Sequence, residues 1–413
     1  MIPALRKAFN ASFTDERHHQ VVERLTRLTG VPIDFRLSET PCFFPAALMA
    51  ELEGAARAMV GQLLGDVAFR AAAESIVPPQ FRIANGETTP TFIQVDFGLV
   101  RAGDRIEGRL VELQAFPSLY GFQMTLAETA RDIWQLAGVS AFANGLDRSS
   151  YLKVVGDAIL GGHDPAEVVL MEIDPDKQKT RPDFAMTEQL WGVRAIDGRA
   201  VSREGPRLFY DRDGRRTRIR RVYNRVIPDD LTRTGIALPF DYRDGLDVEW
   251  TGGPDWFFRL SKFSIPFLKH PWVPKTVFLS HDDSGNRSGG SEGTIPGLLT
   301  DWLLKPLFSY AGGGIIFGPT RADIDAIPHH QRHLYVLQER VDFTPVIDTP
   351  FGATQAEIRL MFVAKGSDAA LQGSDPFALV LPLVRMGRGR MMGVDHNKGL
   401  RWVGAAAGLI TLS

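Results

Sequence analysis

The stretch DWLLKPLFSYAGGGIIFGPT, Asp301 to Thr320, places a lysine inside one apolar run and three consecutive glycines before a second apolar run. The two runs predict β-strands, so Lys305 must either reach solvent along its aliphatic stem or meet an anion. Gly312, Gly313 and Gly314 allow the backbone to approach a ligand and to direct N–H groups at phosphate oxygens. The lysine precedes the glycines, which is not the Walker A order. Two interpretations stay open here: a surface hairpin and a phosphate site.

The composition indicates a globular protein with more than one subdomain. The chain has 413 residues, of which 44% are hydrophobic and 23% charged, and its formal net charge is −2. This balance gives no bulk attraction to nucleic acid or to anionic lipid, so we expect neither as a partner. The single cysteine, Cys42, excludes an internal disulfide and a cysteine-based zinc site. No long apolar run predicts a secretion signal or a membrane span, so a cytoplasmic location is expected.

The rest of the chain predicts an α/β or α+β fold. Residues 45–76 read as helix, and 91–100 and 109–116 read as strands joined by a turn. A capping-box pattern at Thr125 and Glu128 predicts a helix that starts there and stops at Gly138. The apolar segment 167–173 predicts a buried strand, and the arginine-rich segment that follows predicts a hairpin turning at Asp213 and Gly214. Residues 282–293 read as a polar loop, and strands and helices alternate over the last 120 residues.

A second group of polar residues lies on the two strands near residue 100. Glu112 and Gln114 are two positions apart, so on a strand both side chains point to the same face. Together with Asp96 they would supply the oxygen ligands that Mg²⁺ prefers. A solvated polar strand face is the alternative.

The lysine–glycine stretch, the strand LYVLQERV (334–341) and the Glu-x-Gln pair together resemble the ATP-grasp fold. Because the acid/amide pair precedes the lysine, the order resembles the circularly permuted form of glutathionylspermidine synthases and related amide ligases. RLSKFSIPFLKHPWVPKTVFLS and IRRVYNRVIPDDL strengthen this resemblance. It spans roughly residues 90 to 410 and implies a permuted core segment with the metal site (91–150). A pre-ATP-grasp-like substrate domain (151–260) and a nucleotide-binding domain (261–413) would follow. The helical N-terminal block (1–90) carries no recognisable motif, and we expect it at a substrate pocket or a homodimer interface.

The resemblance also implies roles for single residues. Lys262 and Lys305 would neutralise the phosphates of ATP under a lid formed by Gly312, Gly313 and Gly314, and Mg²⁺ would be held by Asp96, Glu112 and Gln114. The adenosine would meet Gln338, Glu339, Arg340 and Val341, and the acyl phosphate would meet Arg385, Arg359 or Arg225. For Arg359 and Arg225 a structural pairing stays open, whereas Arg388 and Arg390 are expected to face solvent. Two departures concern the substrate: Gln94 stands where the family has an arginine, and Gln114 where it has an asparagine.

Other polar clusters are given weaker interpretations. The histidine tracts at 16–20 and 328–333 read as polar helix-end or loop sequence rather than metal ligands. Asp395 and Asn397 are the rival metal pair. The sequence thus predicts an ATP-dependent carboxylate–amine ligase with ATP and Mg²⁺ as cofactors and small carboxylate and amine substrates. The alternatives are an ATP-binding protein with a degenerate ligase site and a phosphotransferase without amine capture.

Overall fold

The mixed α/β prediction is confirmed by a computed structural model, which describes residues 2–279, 297–309, 312–366, 375–389, 392, 397 and 399–412. The predicted polar loop at 282–293 and the rival metal residue Asp395 lie outside these residues. Strands of the described chain form four sheets, and helices pack on their faces.

The described helices are mostly short, and the longest lies in the predicted N-terminal block. They are α1 (Pro3–Ser12), α2 (Asp15–Thr29), α3 (Ala46–Gly65), α4 (Val67–Ile76), α5 (Tyr120–Ile133), α6 (Arg148–Leu160), α7 (Arg181–Trp191), α8 (Pro228–Thr234), α9 (Pro254–Arg259) and α10 (Arg321–Asp325). Within the described ranges none of them is long and apolar enough to cross a membrane.

The strands are, in chain order, β1 (Cys42–Phe44), β2 (Phe92–Ala102), β3 (Arg105–Gln114), β4 (Val139–Ser140), β5 (Val168–Glu172), β6 (Arg194–Asp197), β7 (Ser202–Glu204), β8 (Arg207–Arg212), β9 (Arg215–Ile219), β10 (Arg221–Asn224), β11 (Glu249–Thr251), β12 (Thr276–Phe278), β13 (Trp302–Pro306), β14 (Ile316–Phe317), β15 (Tyr335–Glu339), β16 (Gln355–Ala364), β17 (Phe377–Gly387) and β18 (Gly404–Thr411). The predicted hairpin at Asp213 is confirmed by the pairing of β8 with β9.

The largest sheet has the order β1-β18-β17-β16-β2-β3, with β4 paired to β18. Its central strands therefore come from opposite ends of the chain, and Asp96 on β2 lies opposite Arg359 on β16. Alternate residues of β2, such as Val95 and Phe97, face the core under α3, while Phe92 faces the core that contains α5. Because side chains alternate on a strand, Asp96 shares the face of Phe92. This face is apolar where α5 covers it and polar farther along.

The remaining sheets are smaller. The parallel sheet β11-β10-β5-β6 confirms that 167–173 contains a buried strand. The antiparallel sheet β12-β15-β13-β14 contains both apolar runs of the lysine–glycine stretch, and β7, β8 and β9 form a fourth sheet.

The predicted start and end of the helix after residue 120 were wrong. Helix α5 begins at Tyr120 and ends at Ile133, so Thr125 lies inside it, where its hydroxyl donates to the Gly121 carbonyl at 2.8 Å. The helix extends toward its N-terminus because Tyr120, Phe122 and Leu126 are all buried in one core, and burial of these side chains outweighs the local capping signal.

Candidate active site

A cavity of about 430 Å³ lies between the lysine-bearing sheet and the polar end of the largest sheet. One group of its lining residues is apolar: Val111, Leu303, Ile315, Phe317, Val341, Phe343 and Met392. Another is charged: Glu112, Lys262, Lys305, Arg340, Asp342, Glu357, Arg385 and Arg388. The cavity therefore offers an apolar surface together with charged groups, as a ligand with a flat ring and an ionic tail requires.

Lys305 lies on the central strand β13 and is 5% exposed. Its Nζ donates to Gln338 Oε1 at 2.5 Å, so a neutral amide is its hydrogen-bond partner. Burial, together with the nearby Lys262, lowers the pKa of Lys305 to about 8. An anion bound in the cavity would relieve this unfavourable burial of charge.

Lys262 begins a 3-10 helix, Lys262–Phe267, that Ser261 caps with its hydroxyl. Its Nζ donates to the Ser309 carbonyl at 2.6 Å and lies 3.9 Å from Glu112 Oε2. Burial lowers the pKa of Lys262 as well. The structure thus brings together two predicted phosphate lysines from separate segments, and each donates its hydrogen bonds to neutral oxygens.

The glycines follow the strand that carries Lys305. Gly312 and Gly314 have φ angles of 76° and 72°, which L-residues with side chains rarely adopt. A Cβ on Gly314 would also lie 2.8 Å from Pro306 Cγ. Gly312 lines the cavity and Gly313 lies between the two left-handed residues. Gly312 and Gly314 are therefore needed for the shape of this turn as well as for any contact with a ligand.

The end of β15 borders the same cavity. Gln338, Arg340 and Val341 line it, whereas the exposed Glu339 does not. The backbone N–H of Glu339 donates to Lys275 O at 2.8 Å and that of Arg340 to Asp301 O at 2.7 Å. The side chain of Arg340 is paired with Asp342 at 2.7 Å.

Asp96 does not fit the predicted role of a cation ligand. It is fully buried and accepts hydrogen bonds from Arg359 Nε and Nη2, both at 2.6 Å, and from Arg385 Nη2 at 2.5 Å. The Gln114 amide, oriented with its oxygen toward Arg359, accepts at 2.8 Å from both Nη atoms. Both residues therefore direct their oxygens at guanidinium groups.

Glu112 fits the cation role better than its two predicted companions. It lines the cavity, and the nearest cations are Lys262 at 3.9 Å and Arg359 at 3.7 Å, so within the described residues its carboxylate has ion-pair neighbours but no hydrogen bond. Mg²⁺ at nucleotide sites is usually held by one or two carboxylates together with the phosphates. No group of three or more His, Cys, Asp or Glu in the described chain is arranged to hold a metal by itself.

The three predicted catalytic arginines lie in different surroundings. Arg359 is buried and saturated by Asp96, Gln94 and Gln114, so its observed contacts are structural. Arg385 lines the cavity and also pairs with Glu357, a buried carboxyl whose pKa is raised by burial. Sequence reasoning missed Glu357, because nothing in the sequence places β16 beside the lysine sheet.

Arg225 does not line the cavity. It is 2% exposed, pairs with Asp183 at 3.0 Å and follows β10, beside the end of β5. Strands β5 and β10 are neighbours; β5 pairs on its other side with β6, and β10 pairs on its other side with β11. The chain therefore leaves β5 and β10 toward opposite edges of the sheet. Crevices at such points are frequent binding sites. Glu172 ends β5 here, and burial raises its pKa to about 7; sequence reasoning missed it.

Asn397 of the rival metal pair is hydrogen-bonded to Arg388, one of the two outer arginines. Asn397 is buried and its Oδ1 accepts from the Arg388 backbone N–H at 3.0 Å. Arg388, expected to face solvent, is half-buried: it lines the cavity and donates to Arg401 O at 2.9 Å and Thr349 Oγ1 at 3.1 Å. Arg390, like Asp395, lies outside the described residues.

Comparison with solved structures identifies a protein with the same overall architecture. The chain is similar to a glutathione synthetase-like effector of Globodera pallida, solved in apo form, with a TM-score of 0.56, 14% sequence identity and 96% of each chain covered. At this identity the likeness shows the fold alone. No family model and no curated protein matches the sequence. The chain thus shares the overall fold of this effector.

Proposed function

We propose that this chain is an ATP-dependent carboxylate–amine ligase that forms an amide or peptide bond through an acylphosphate. The observation that carries the proposal is the convergence of Lys262 and Lys305, both buried and both hydrogen-bonded to neutral oxygens, on one cavity. Two such ammonium groups favour an anion with several charges, and the adjacent apolar surface favours a nucleobase. The glutathione synthetase-like fold agrees with ligation.

In this proposal the nucleotide uses the whole cavity. The base lies against the apolar surface near Val341 and Phe343, and the phosphates meet Lys262 and Lys305 under the glycine turn. Glu112 would hold Mg²⁺ together with the phosphates, and the ion would neutralise charge on the transferred group. Asp96 and Gln114 are left out of this ligand set because arginines occupy their oxygens.

The protein's own part in the reaction is to bind, orient and exclude water. A carboxylate does not react with an amine unless its oxygen is first made a good leaving group, which phosphorylation achieves. Arg385 faces the cavity and would hold the acyl phosphate. The end of the parallel sheet at Arg225 and Glu172 would hold the substrates. Asp229, on the helix after β10, acts on the pKa of Lys262 in the raising direction, opposite to the larger effect of burial, so this end of the sheet lies within electrostatic reach of Lys262. Such positioning supplies most of the catalysis in phosphoryl transfer.

One observation favours a second candidate function. Asp96 is neutralised by two arginines, and a site that has lost a ligand could bind ATP without turning it over. An ATP-binding protein with a degenerate ligase site is therefore the alternative. A phosphotransferase that releases its phosphorylated product would share the nucleotide site and differ only in lacking amine capture.

The test is incubation with ATP, Mg²⁺ and pooled amino acids and amines, with ADP and phosphate measured. ADP release that requires both an acid and an amine supports the ligase. Tight ATP binding without turnover supports the degenerate site, and amine-independent ADP release supports the phosphotransferase. Lys305→Met is the control, because it removes the proposed phosphate contact and should abolish each of these signals.

A further inference from the structure

Three buried side chains form a hydrogen-bonded chain that ends at the ammonium group of Lys305. Thr276 on β12 donates through Oγ1 to the Pro274 carbonyl at 2.9 Å. Gln338 on β15 donates through Nε2 to Thr276 Oγ1 at 3.2 Å, and its Oε1 accepts from Lys305 Nζ at 2.5 Å. The three side chains are at most 5% exposed. They come from three neighbouring strands of one sheet.

The direction of each hydrogen bond is fixed by the one before it. A carbonyl oxygen can only accept, so the Thr276 hydroxyl group donates to the Pro274 carbonyl, and its oxygen accepts from Gln338 Nε2. The amide nitrogen of Gln338 must then face Thr276, which turns the amide oxygen toward Lys305. The opposite amide orientation would place an NH₂ group against an ammonium group, and two donors repel.

We propose that Thr276 and Gln338 are positioning residues for Lys305: Thr276 anchors the amide of Gln338, and Gln338 holds the ammonium group in the cavity without neutralising it. A neutral amide at position 338 accepts from Lys305 and leaves its positive charge uncompensated. A carboxylate at position 338 would hold the lysine equally well but would cancel the charge that an incoming phosphate needs. The proposal rests on the proposed nucleotide function for the nature of the anion, although the hydrogen-bonded chain itself is independent of it.

The test compares Thr276→Val, which keeps the shape and removes the hydroxyl group, with Thr276→Ser, which keeps the hydroxyl group. ATP and adenosine binding are measured by calorimetry for both variants and for the unaltered protein. Loss of the hydrogen bond that anchors Gln338, and with it of the fixed position of Lys305, should weaken ATP binding about tenfold in Thr276→Val. Adenosine binding should be unchanged because adenosine carries no phosphate, and Thr276→Ser should behave like the unaltered protein.

A second measurement needs no nucleotide. Modification of Lys305 by trinitrobenzenesulfonate in the ligand-free protein, followed by mass spectrometry of the Lys305 peptide, should be faster in Thr276→Val than in Thr276→Ser. The reason is that Gln338, once it has lost its anchor at Thr276, no longer holds its oxygen firmly against Lys305, and an ammonium group with a weaker acceptor deprotonates more readily. Gln338→Glu keeps the side-chain shape and gives an independent variant if Thr276→Val does not fold: it should slow the modification and weaken ATP binding.

The outcomes separate this inference from the proposed function. If Thr276→Val binds ATP and is modified at Lys305 like Thr276→Ser, the inference is wrong. An equal loss of ATP and adenosine binding would also overturn it, since that result indicates only a disturbed cavity. The unaltered protein could bind no ATP while Lys305 is still modified faster in Thr276→Val than in Thr276→Ser. That result would support the positioning role of Thr276 and Gln338 and contradict the proposed nucleotide function.

Discussion

The arginines Arg359 and Arg385 and the lysines Lys262 and Lys305 carry the same charge beside the same cavity, but their partners differ. Both arginines donate to Asp96, and Arg385 also pairs with Glu357. The lysines donate to a backbone carbonyl and an amide, and the nearest carboxylate to Lys262 is 3.9 Å away. Removing the partner of a buried, paired charge destabilises the fold strongly, whereas a buried charge held by neutral groups is fully available to a ligand. Arg385 is intermediate, because it is paired and also lines the cavity.

The largest expected effect is on the arginine side of this comparison. Asp96→Asn should lower the free energy of unfolding by about 3–5 kcal/mol, because it leaves the buried Arg359 and the partly buried Arg385 without their shared carboxylate. Urea denaturation would measure it. Glu112→Gln, on the same sheet face but without a hydrogen bond to lose in the described chain, is the matched control and should change stability little. A stable Asp96→Asn that had lost Mg²⁺-dependent ATP binding would restore Asp96 as a metal ligand.

Next in size is the effect of removing charge on the lysine side. Lys305→Met should weaken ATP binding about a hundredfold, as expected when a charged contact to phosphate is lost. The same change should leave the free energy of unfolding equal or higher, because it removes a buried charge that has only neutral hydrogen-bond partners. Calorimetry and urea denaturation on the same sample would measure both. Loss of stability together with retained ATP affinity would show that Lys305, like the arginines, has a structural role and does not bind phosphate.

How much of this arrangement the sequence could predict depends on the distance between partners along the chain. The strand containing Lys305, the glycine turn and the shared face of Glu112 and Gln114 follow from local patterns of apolar residues and from strand periodicity. The pairing of Asp96 with Arg359 joins residues 263 positions apart, and no local signal predicts it. The same holds for Glu357. Local chemistry therefore predicted which residues could bind ligands, and only the sheet order showed which were already paired.

The pH dependence of ATP binding would sharpen the comparison further. The pKa of Lys305 is lowered to about 8, and a bound polyphosphate would raise it again, so binding takes up a proton above pH 8. Affinity should therefore fall by up to about tenfold per pH unit between pH 8 and the pKa of the complex. Calorimetry in buffers of different ionisation enthalpy would detect the proton. Lys305→Met should show a reduced slope, and an equal slope in both proteins would contradict the assignment.

The smallest predicted effect extends the comparison to a buried carboxyl. The pKa of Glu172 is raised to about 7 by burial, so between its ordinary pKa and 7 the folded protein binds more protons than the unfolded chain. Stability contributed by this group is therefore greatest at low pH and falls as pH rises to about 7. Glu172→Gln removes the titrating proton and should stabilise the protein by about 1 kcal/mol at pH 8 and not at pH 5. Urea denaturation at the two pH values would measure this difference, and a loss of stability at pH 8 would show that the charged carboxylate is balanced by Arg225 as fully as Asp96 is by its arginines.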